Sequence, residues 1–381
     1  MRARVKGADG GRLIWVAFVA GILLSGIVWM LAHGAGGAKQ ATSGMFQTSF
    51  TQVGGTDANP SMIPRQTAPP DRTSQSTHSS SSPGTAAKAG IEKSVSVYLT
   101  KQHKIETVPL ETYVLGVVAA EMPLDFEPAA LEAQALAART YIERRLALGD
   151  RSGMTTEKAD VTDTITHQVY RSLSDMKRLK SEDEDGYRKA ALAVERTKGQ
   201  IIVYGGQPIE ALFFSTSNGY TENSEDVFAA KQPYLRSVPS PWDAVAPRAK
   251  ETTRFGLAEI YRKLGGDALP VAGKAGVSAK KPIRVLDRTP GRRVKTLQVG
   301  SERWTGEEVR EKLGLRSAAF DLQVTGNELL VTTYGSGHGV GMSQWGAQGL
   351  AKLGKTSSYI VEYYYQGARV QVVSKLAKGS A

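Results

Sequence analysis

Glu121 closes an apolar stretch, LGVVAAEMP, and Pro123 stops the helix that Pro109-Leu110 would start. Its carboxylate therefore sits at a helix end among Val117, Val118 and Met122, where ionisation is costly. A carboxylic acid still protonated near neutral pH is what a general acid at a glycosidic oxygen must be. Arg139 falls among the apolar positions of the next helical segment and, if buried, requires an anion. Glu121 is the partner expected for it, so the same carboxylate reads as a proton donor, as a structural counter-charge, or as both.

Two further clusters carry polar chemistry. STSNG, Ser215 to Gly219, follows a strand-like FF, and PYLRSVPSPWD downstream sets Tyr234, Ser240, Trp242 and Asp243 in a proline-stiffened loop. Aromatic faces beside hydrogen-bonding groups suit a sugar, although STSNG by itself is an ordinary turn signal. GSGHGVGMSQWGAQG places alternate glycines around His338, Ser343, Gln344 and Trp345, which lets a backbone approach a ligand or another strand closely. A Ser–His pair through Ser343 or Ser215 with His338 lacks the GxSxG elbow. His167 and His338 lack HExxH-like spacing for a metal. GLAKLGKT matches the letters of a phosphate-binding loop, but no apolar strand leads into Gly349, and the match is accidental.

These residues need elements to hold them. SVSVYLT from Ser94 alternates as a strand, and GQIIVYGGQPIEALFFST reads as two strands about Gly205-Gly206. PAALEAQALAARTYIERRL, opened by Pro128, is the strongest helix, with Leu131, Ala135, Ala138, Ile142 and Leu146 at helical spacing. Its Ala-rich face predicts a close neighbour. KRLKSEDEDGYRK, Lys177 to Lys189, reads as a solvated loop entering the helix YRKAALAVERT. Hairpins are expected about Pro290-Gly291 and Gly326-Asn327. The fold class is α+β, a mixed domain with several short antiparallel strands and a helical insert.

The chain of 381 residues is 41% hydrophobic and 22% charged, enough for a real core, which excludes wholesale disorder, collagen and coiled coil. It has no cysteine, so disulfides, iron–sulfur clusters and thiolate zinc fingers are excluded. The formal charge of +11 suits acidic surroundings such as an anionic membrane face or a wall polymer. Residues 1–12 are basic and 13–32, LIWVAFVAGILLSGIVWMLA, form an uncharged run long enough to cross a bilayer. The charge bias keeps the N-terminus cytoplasmic and the rest outside. A cleaved signal peptide is the competing reading of that run. Residues 33–93, rich in Ser, Thr, Gly and Pro, read as a flexible tether, and 94–381 as the extracytoplasmic body.

VPLETYVLGVVAAEMP, the AALEAQALAARTY helix, TDTITHQVY, FFSTSNGYTENSEDVF with PYLRSV and PSPWD, and GSGHGVGMSQWGAQGLAK with YYYQGARV stand in this order over roughly 94–373. Together they resemble the stage II sporulation protein D family, as do the anchor and tether. The resemblance implies a lytic transglycosylase of peptidoglycan glycan strands. It would cleave the bond between N-acetylmuramic acid and N-acetylglucosamine, on strands free of stem peptides, during engulfment in endospore formation. It implies partners as well, a cell-wall amidase and a membrane scaffold at the mother-cell septal membrane, and no nucleic acid. The family's catalytic acid falls on Glu121 and its important arginine on Arg139, with Ser215, Asn218, Tyr234, Ser240 and Asp243 carried over as substrate-binding positions. Some relatives use Cys and His for zinc; His167 stands in the matching segment but cysteine is missing, so neither metal nor cofactor is expected. The rival reading is a noncatalytic glycan-binding enhancer of an amidase, and a bare membrane-to-wall tether ranks last.

Overall fold

The structure, a computed structural model, describes residues 93–265 and 283–373. The expected membrane helix at 13–32 and all of the expected tether but Lys93 lie outside the described residues. Among the described residues no helix is long and apolar enough to cross a membrane.

Strand β1 (Ser94–Leu99) turns Val95, Val97 and Leu99 inward by simple alternation and pairs antiparallel with β2 (Lys104–Pro109). Pro109 leads directly into α1 (Leu110–Glu121), which buries Tyr113, Val114, Val117 and Val118. Helix α2 (Pro128–Leu148) has Pro at its start and Gly149 in the left-handed conformation at its end. It is no surface insert. Leu131, Ala135, Ala138 and Ile142 are buried, but so are Gln134, Arg139, Thr140 and Glu143, because neighbours cover it on all sides. β3 (Val161–Thr162) then adds to β1 in parallel.

The expected loop at 177–189 is helical instead. α3 (Leu173–Glu182) and α4 (Glu184–Arg196) meet at Asp183, whose side chain caps α4 by accepting from the Gly186 N–H at 2.9 Å. The dense mixed charge is the wet face of these helices, while Met176 and Leu179 pack against Ala119. β4 (Gln200–Tyr204) turns at Gly205-Gly206 into β5 (Gln207–Pro208) as expected. The rest of the second expected strand separates, and β6 (Phe213–Phe214) pairs in parallel with a segment far downstream.

After the short α5 (Ser224–Val227) and a 3₁₀ turn at Pro241–Val245 comes a lobe with its own core. It holds β7 (Lys250–Gly256), α6 (Leu257–Leu264), β8 (Ile283–Arg288), β9 (Val294–Val299), β10 (Glu302–Thr305), α7 (Gly306–Leu313), β11 (Phe320–Thr325) and β12 (Glu328–Tyr334). Both hairpins, β8–β9 and β11–β12, form about the expected turns. Ile260, Leu297, Val309, Phe320 and Val331 fill this second core. The chain returns to the first core with β13 (Met342–Ser343), α8 (Gln344–Lys352), α9 (Ser357–Tyr364) and β14 (Arg369–Val372), the last beside β4. Helices α1, α4, α8 and α9 and strand β4 surround α2, which explains its small residues.

Candidate active site

Glu121 is the last residue of α1; Met122 turns extended and the helix ends. Its Oε1 accepts the Val169 N–H at 2.8 Å. That amide is delivered by the 163–172 segment, which lies clamped along α1. Tyr170 stacks on Tyr113 with ring centres 5.4 Å apart, the Arg171 N–H donates to the Gly116 carbonyl at 3.2 Å, and the Arg171 side chain donates to the Ala119 carbonyl at 3.0 Å. Gly116 is required for this fit, since a Cβ there would lie 2.4 Å from the Tyr170 ring.

From the other side comes the start of α8. Gln344 Nε2 donates to the Glu121 main-chain carbonyl at 3.1 Å and to Gln134 Oε1 at 3.4 Å. Beside it Trp345 packs edge-on against Phe126 at 4.9 Å and keeps part of its surface open. Burial raises the Glu121 carboxyl to about 7, while the Val169 N–H and the Gln344 amide pull it partway back. The residue is only half-buried. Two buried amides line this site, Gln134 and Gln168, the latter accepting from the Tyr113 hydroxyl at 3.1 Å.

The expected pairing of Arg139 with Glu121 is not formed. Arg139 is fully buried and gives Nη2 to Glu111 at 2.7 Å and Nε to the same carboxylate at 3.0 Å, with its remaining donors on Thr197, the Val194 carbonyl and the Gln200 carbonyl. Every N–H is used within the protein, which makes Arg139 a framework residue and leaves nothing for a glycan.

Three more of the expected substrate-binding positions are also turned inward. Asp243, buried, accepts from the Ser217 N–H at 2.8 Å and from the hydroxyls of Ser240 and Ser343. Ser240 also meets the Tyr364 hydroxyl at 2.7 Å. Tyr234, buried, accepts the Glu210 N–H at 3.0 Å. Burial raises the Asp243 carboxyl, and the hydroxyls oppose that rise. Ser343 is the cap of α8, accepting from the Gly346 N–H at 3.3 Å, so the Asp243 cluster positions the helix start that carries Gln344 and Trp345. It supports the site from behind. Ser215 and Asn218 stay half-buried: the Ser215 carbonyl accepts the Trp345 N–H at 3.1 Å, bringing this strand end to the site, and Asn218 Nδ2 donates to the Gly291 carbonyl at 2.9 Å.

The histidines are engaged by backbone. His338 Nδ1 accepts the Val340 N–H at 3.1 Å and Nε2 donates to the Phe213 carbonyl at 3.0 Å, and burial lowers it to about 3. Ser343 belongs to Asp243, so the Ser343–His338 pair is absent. His167 Nδ1 accepts the Thr162 N–H at 3.1 Å and Nε2 faces the Ser152 carbonyl; burial lowers it to about 4. Among the described residues no three His, Asp or Glu side chains group to hold a metal ion. Gln344 was visible in the sequence beside Trp345, whereas the Val169 amide, Gln134, Gln168 and Glu111 had no local signal.

The family model for the stage II sporulation protein matches residues 98–204, the span that holds Glu121 and its Val169 partner. Stage II sporulation protein D of Bacillus subtilis is 46% identical over 279 residues, 73% of this chain and 78% of that protein. Its counterpart in Bacillus amyloliquefaciens is 45% identical over 278 residues, with the same shares. A more distant relative, the amidase enhancer of Bacillus subtilis, is 26% identical over 301 residues, 66% of this chain but 39% of that protein.

Proposed function

This chain belongs to the stage II sporulation protein D family, and from that premise we propose that it is a membrane-anchored lytic transglycosylase cutting peptidoglycan glycan strands. One observation carries the reading. Glu121, partly buried at the end of α1, is raised to about 7 by burial while its carboxylate accepts the Val169 N–H, so it holds a proton near neutral pH.

A hydrolase of glycosides pairs two carboxyl groups across the bond. A single one suffices if the substrate supplies the nucleophile. Glu121 protonates the leaving glycosidic oxygen; the C6 hydroxyl of N-acetylmuramic acid then attacks C1 and yields its proton to the same carboxylate, closing a 1,6-anhydro ring and regenerating the acid. Trp345, Ser215 and Asn218 are the half-open groups we assign to holding the sugars, on strands stripped of stem peptides.

Digestion of glycan strands in heavy-oxygen water tests this. Anhydro ends should carry no label and weigh about 18 Da less than ordinary, unlabelled hydrolysed ends, the one water withheld from the two-carboxylate route. Labelled reducing ends would show that water attacks. No new ends at all would favour the second reading, a glycan-binding enhancer of an amidase, which the alignment with the amidase enhancer keeps in view.

The proposal includes a place for the enzyme: residues 1–12 inside, the run 13–32 as the single anchor, and the body outside the membrane that engulfs the spore, next to an amidase and a membrane scaffold. Protease added to intact protoplasts should release the body by cutting the Ser-rich tether. A body protected until lysis would reverse this topology.

A further inference from the structure

Trp242 is the aromatic residue of the proline-stiffened loop, and the chemistry at Glu121 leaves it unused. Its loop neighbours Ser240 and Asp243 turn inward, but Trp242 stays half-buried and lies across Gly349 of α8, where an added Cβ would come 2.2 Å from the Trp242 Cβ. Its ring meets Tyr363 edge-on at 5.5 Å, and Tyr363 lies nearly parallel to Tyr359, with 15° between the planes and 6.3 Å between the centres. Tyr363 is half-buried and tied by its hydroxyl to the Pro239 carbonyl at 2.6 Å. Tyr359 is 44% exposed, with Lys355 Nζ 4.7 Å from its ring centre. Three partly open rings from two distant parts of the chain thus form one continuous row.

The row continues the candidate active site. From Gln344 to Leu350 only Trp345 and Gly349 escape burial, and with exposed Lys352 they stand at i, i+4 and i+7, so one open stripe runs along α8. Trp345 begins it against Phe126, next to Gln344, which bonds the Glu121 carbonyl. Trp242 covers the stripe at Gly349, and Lys352 ends it about 10 Å along the helix from Trp345. Lys352 and Lys355 are exposed and form no ion pair among the described residues. From Gln344 to Gln366 the one carboxylate is Glu362, and Glu132, which reaches Ser357, is held by Arg196. This surface is therefore aromatic, open and net positive.

We propose that it is a second glycan-binding site, on which Trp242, Tyr363 and Tyr359 stack the sugar rings that lie beyond those held at Glu121. The C–H face of a pyranose suits the negative face of an aromatic ring. Removal of stem peptides leaves a free lactyl carboxylate on each N-acetylmuramic acid, and Lys352 and Lys355 are placed to pair with it. The identity of the ligand rests on the reading of the preceding subsection.

Binding measured without cleavage tests it: full-length Glu121→Gln protein is titrated by calorimetry with glycan strands freed of stem peptides. Tyr359→Ala, at an exposed ring, should weaken binding about three- to tenfold, the worth of one aromatic contact. Trp242→Phe should keep most of the affinity that Trp242→Ala loses, and the Trp242 indole N–H resonance should move as strands are added. Lys352→Gln combined with Lys355→Gln should weaken these strands more than chitin oligosaccharides, which have no carboxylate. Full affinity in Tyr359→Ala, an unmoved indole resonance, or polyglutamate bound as tightly as the strands would overturn the proposal. A dimer that Tyr359→Ala dissolves would give this face to a second copy of the chain and overturn it as well. Any of these failures would leave the Glu121 chemistry standing. Binding that depends on the aromatic row, in a protein whose natural form makes no anhydro ends, would support the second site and overturn the transglycosylase reading instead.

Discussion

The Glu111 carboxylate and the Arg139 guanidinium meet two-pronged between α1 and α2, Oε2 lying 2.7 Å from Nη2 and Oε1 3.0 Å from Nε. The same guanidinium reaches the carbonyls of Val194 and Gln200, so one buried cation ties both helices to the end of α4 and the start of β4. Glu121 is left out of this pairing, and its carboxylate accepts the Val169 N–H instead.

Removing either partner of that pair should be costly, since it strands a buried charge. Glu111→Ala or Arg139→Ala should each lose about 3–5 kcal/mol of stability. The double variant should lose less than the sum. Denaturant unfolding checks this, and an unchanged midpoint in Arg139→Ala would mean the guanidinium is not held as described.

Glu121→Gln keeps size and hydrogen bonding but cannot cycle a proton. Glycan cleavage should fall by about 10²–10⁴-fold, the usual worth of general acid–base help, with the melting temperature nearly unchanged at acid pH. Retention of more than a few per cent of activity in purified protein would remove Glu121 from the acid's role.

The raised Glu121 carboxyl predicts a direction for pH effects. Its folded value, about 7, lies above the ordinary 4.5, so between these values the folded protein holds a proton that the unfolded chain has lost. Stability from this group therefore falls as pH rises from about 4.5 to about 7. Relative to Glu121→Gln, the natural protein should lose about 2–3 kcal/mol across that window at most, and activity should decline above about pH 7. Parallel stability curves for the two proteins would contradict the shift.

Gln344 acts on the acid from the start of α8, and its loss should change the acid more than the fold. Gln344→Ala removes a donor that lowers the Glu121 carboxyl, so the alkaline limb of the pH–rate profile should move up while kcat falls. A lower kcat with an unmoved limb would reduce Gln344 to packing.

Gly116→Ala probes the delivery of the Val169 amide. The new methyl would collide with the Tyr170 ring and the Arg171 carbonyl, lifting the 163–172 segment from α1. Activity should drop by an order of magnitude or more, and backbone hydrogen exchange at Val169 should accelerate.

What the sequence determined alone were features written in neighbouring residues. Alternation specified β1, Pro128 and Gly149 bounded α2, paired turn residues specified three hairpins, and an acid closing an apolar helix before Pro123 marked Glu121. The charge density at 177–189 misled, because charge on the wet face of a helix has the same composition as a solvated loop and only the capping by Asp183 distinguishes them. Partner choice belonged to the tertiary structure. Arg139 announced a need for an anion, but whether Glu111 or Glu121 met it depended on how α1 rotates against α2. Polar residues in a proline-stiffened loop looked fit for sugars, yet Asp243 and Ser240 point inward to hold the start of α8 from behind, and Tyr234 points inward to accept the Glu210 N–H. The Val169 amide reaches Glu121 from 48 residues away, and Gln344 from 223. Contacts across such separations leave no local pattern, because they are set by which faces must be buried together when the whole chain packs around α2.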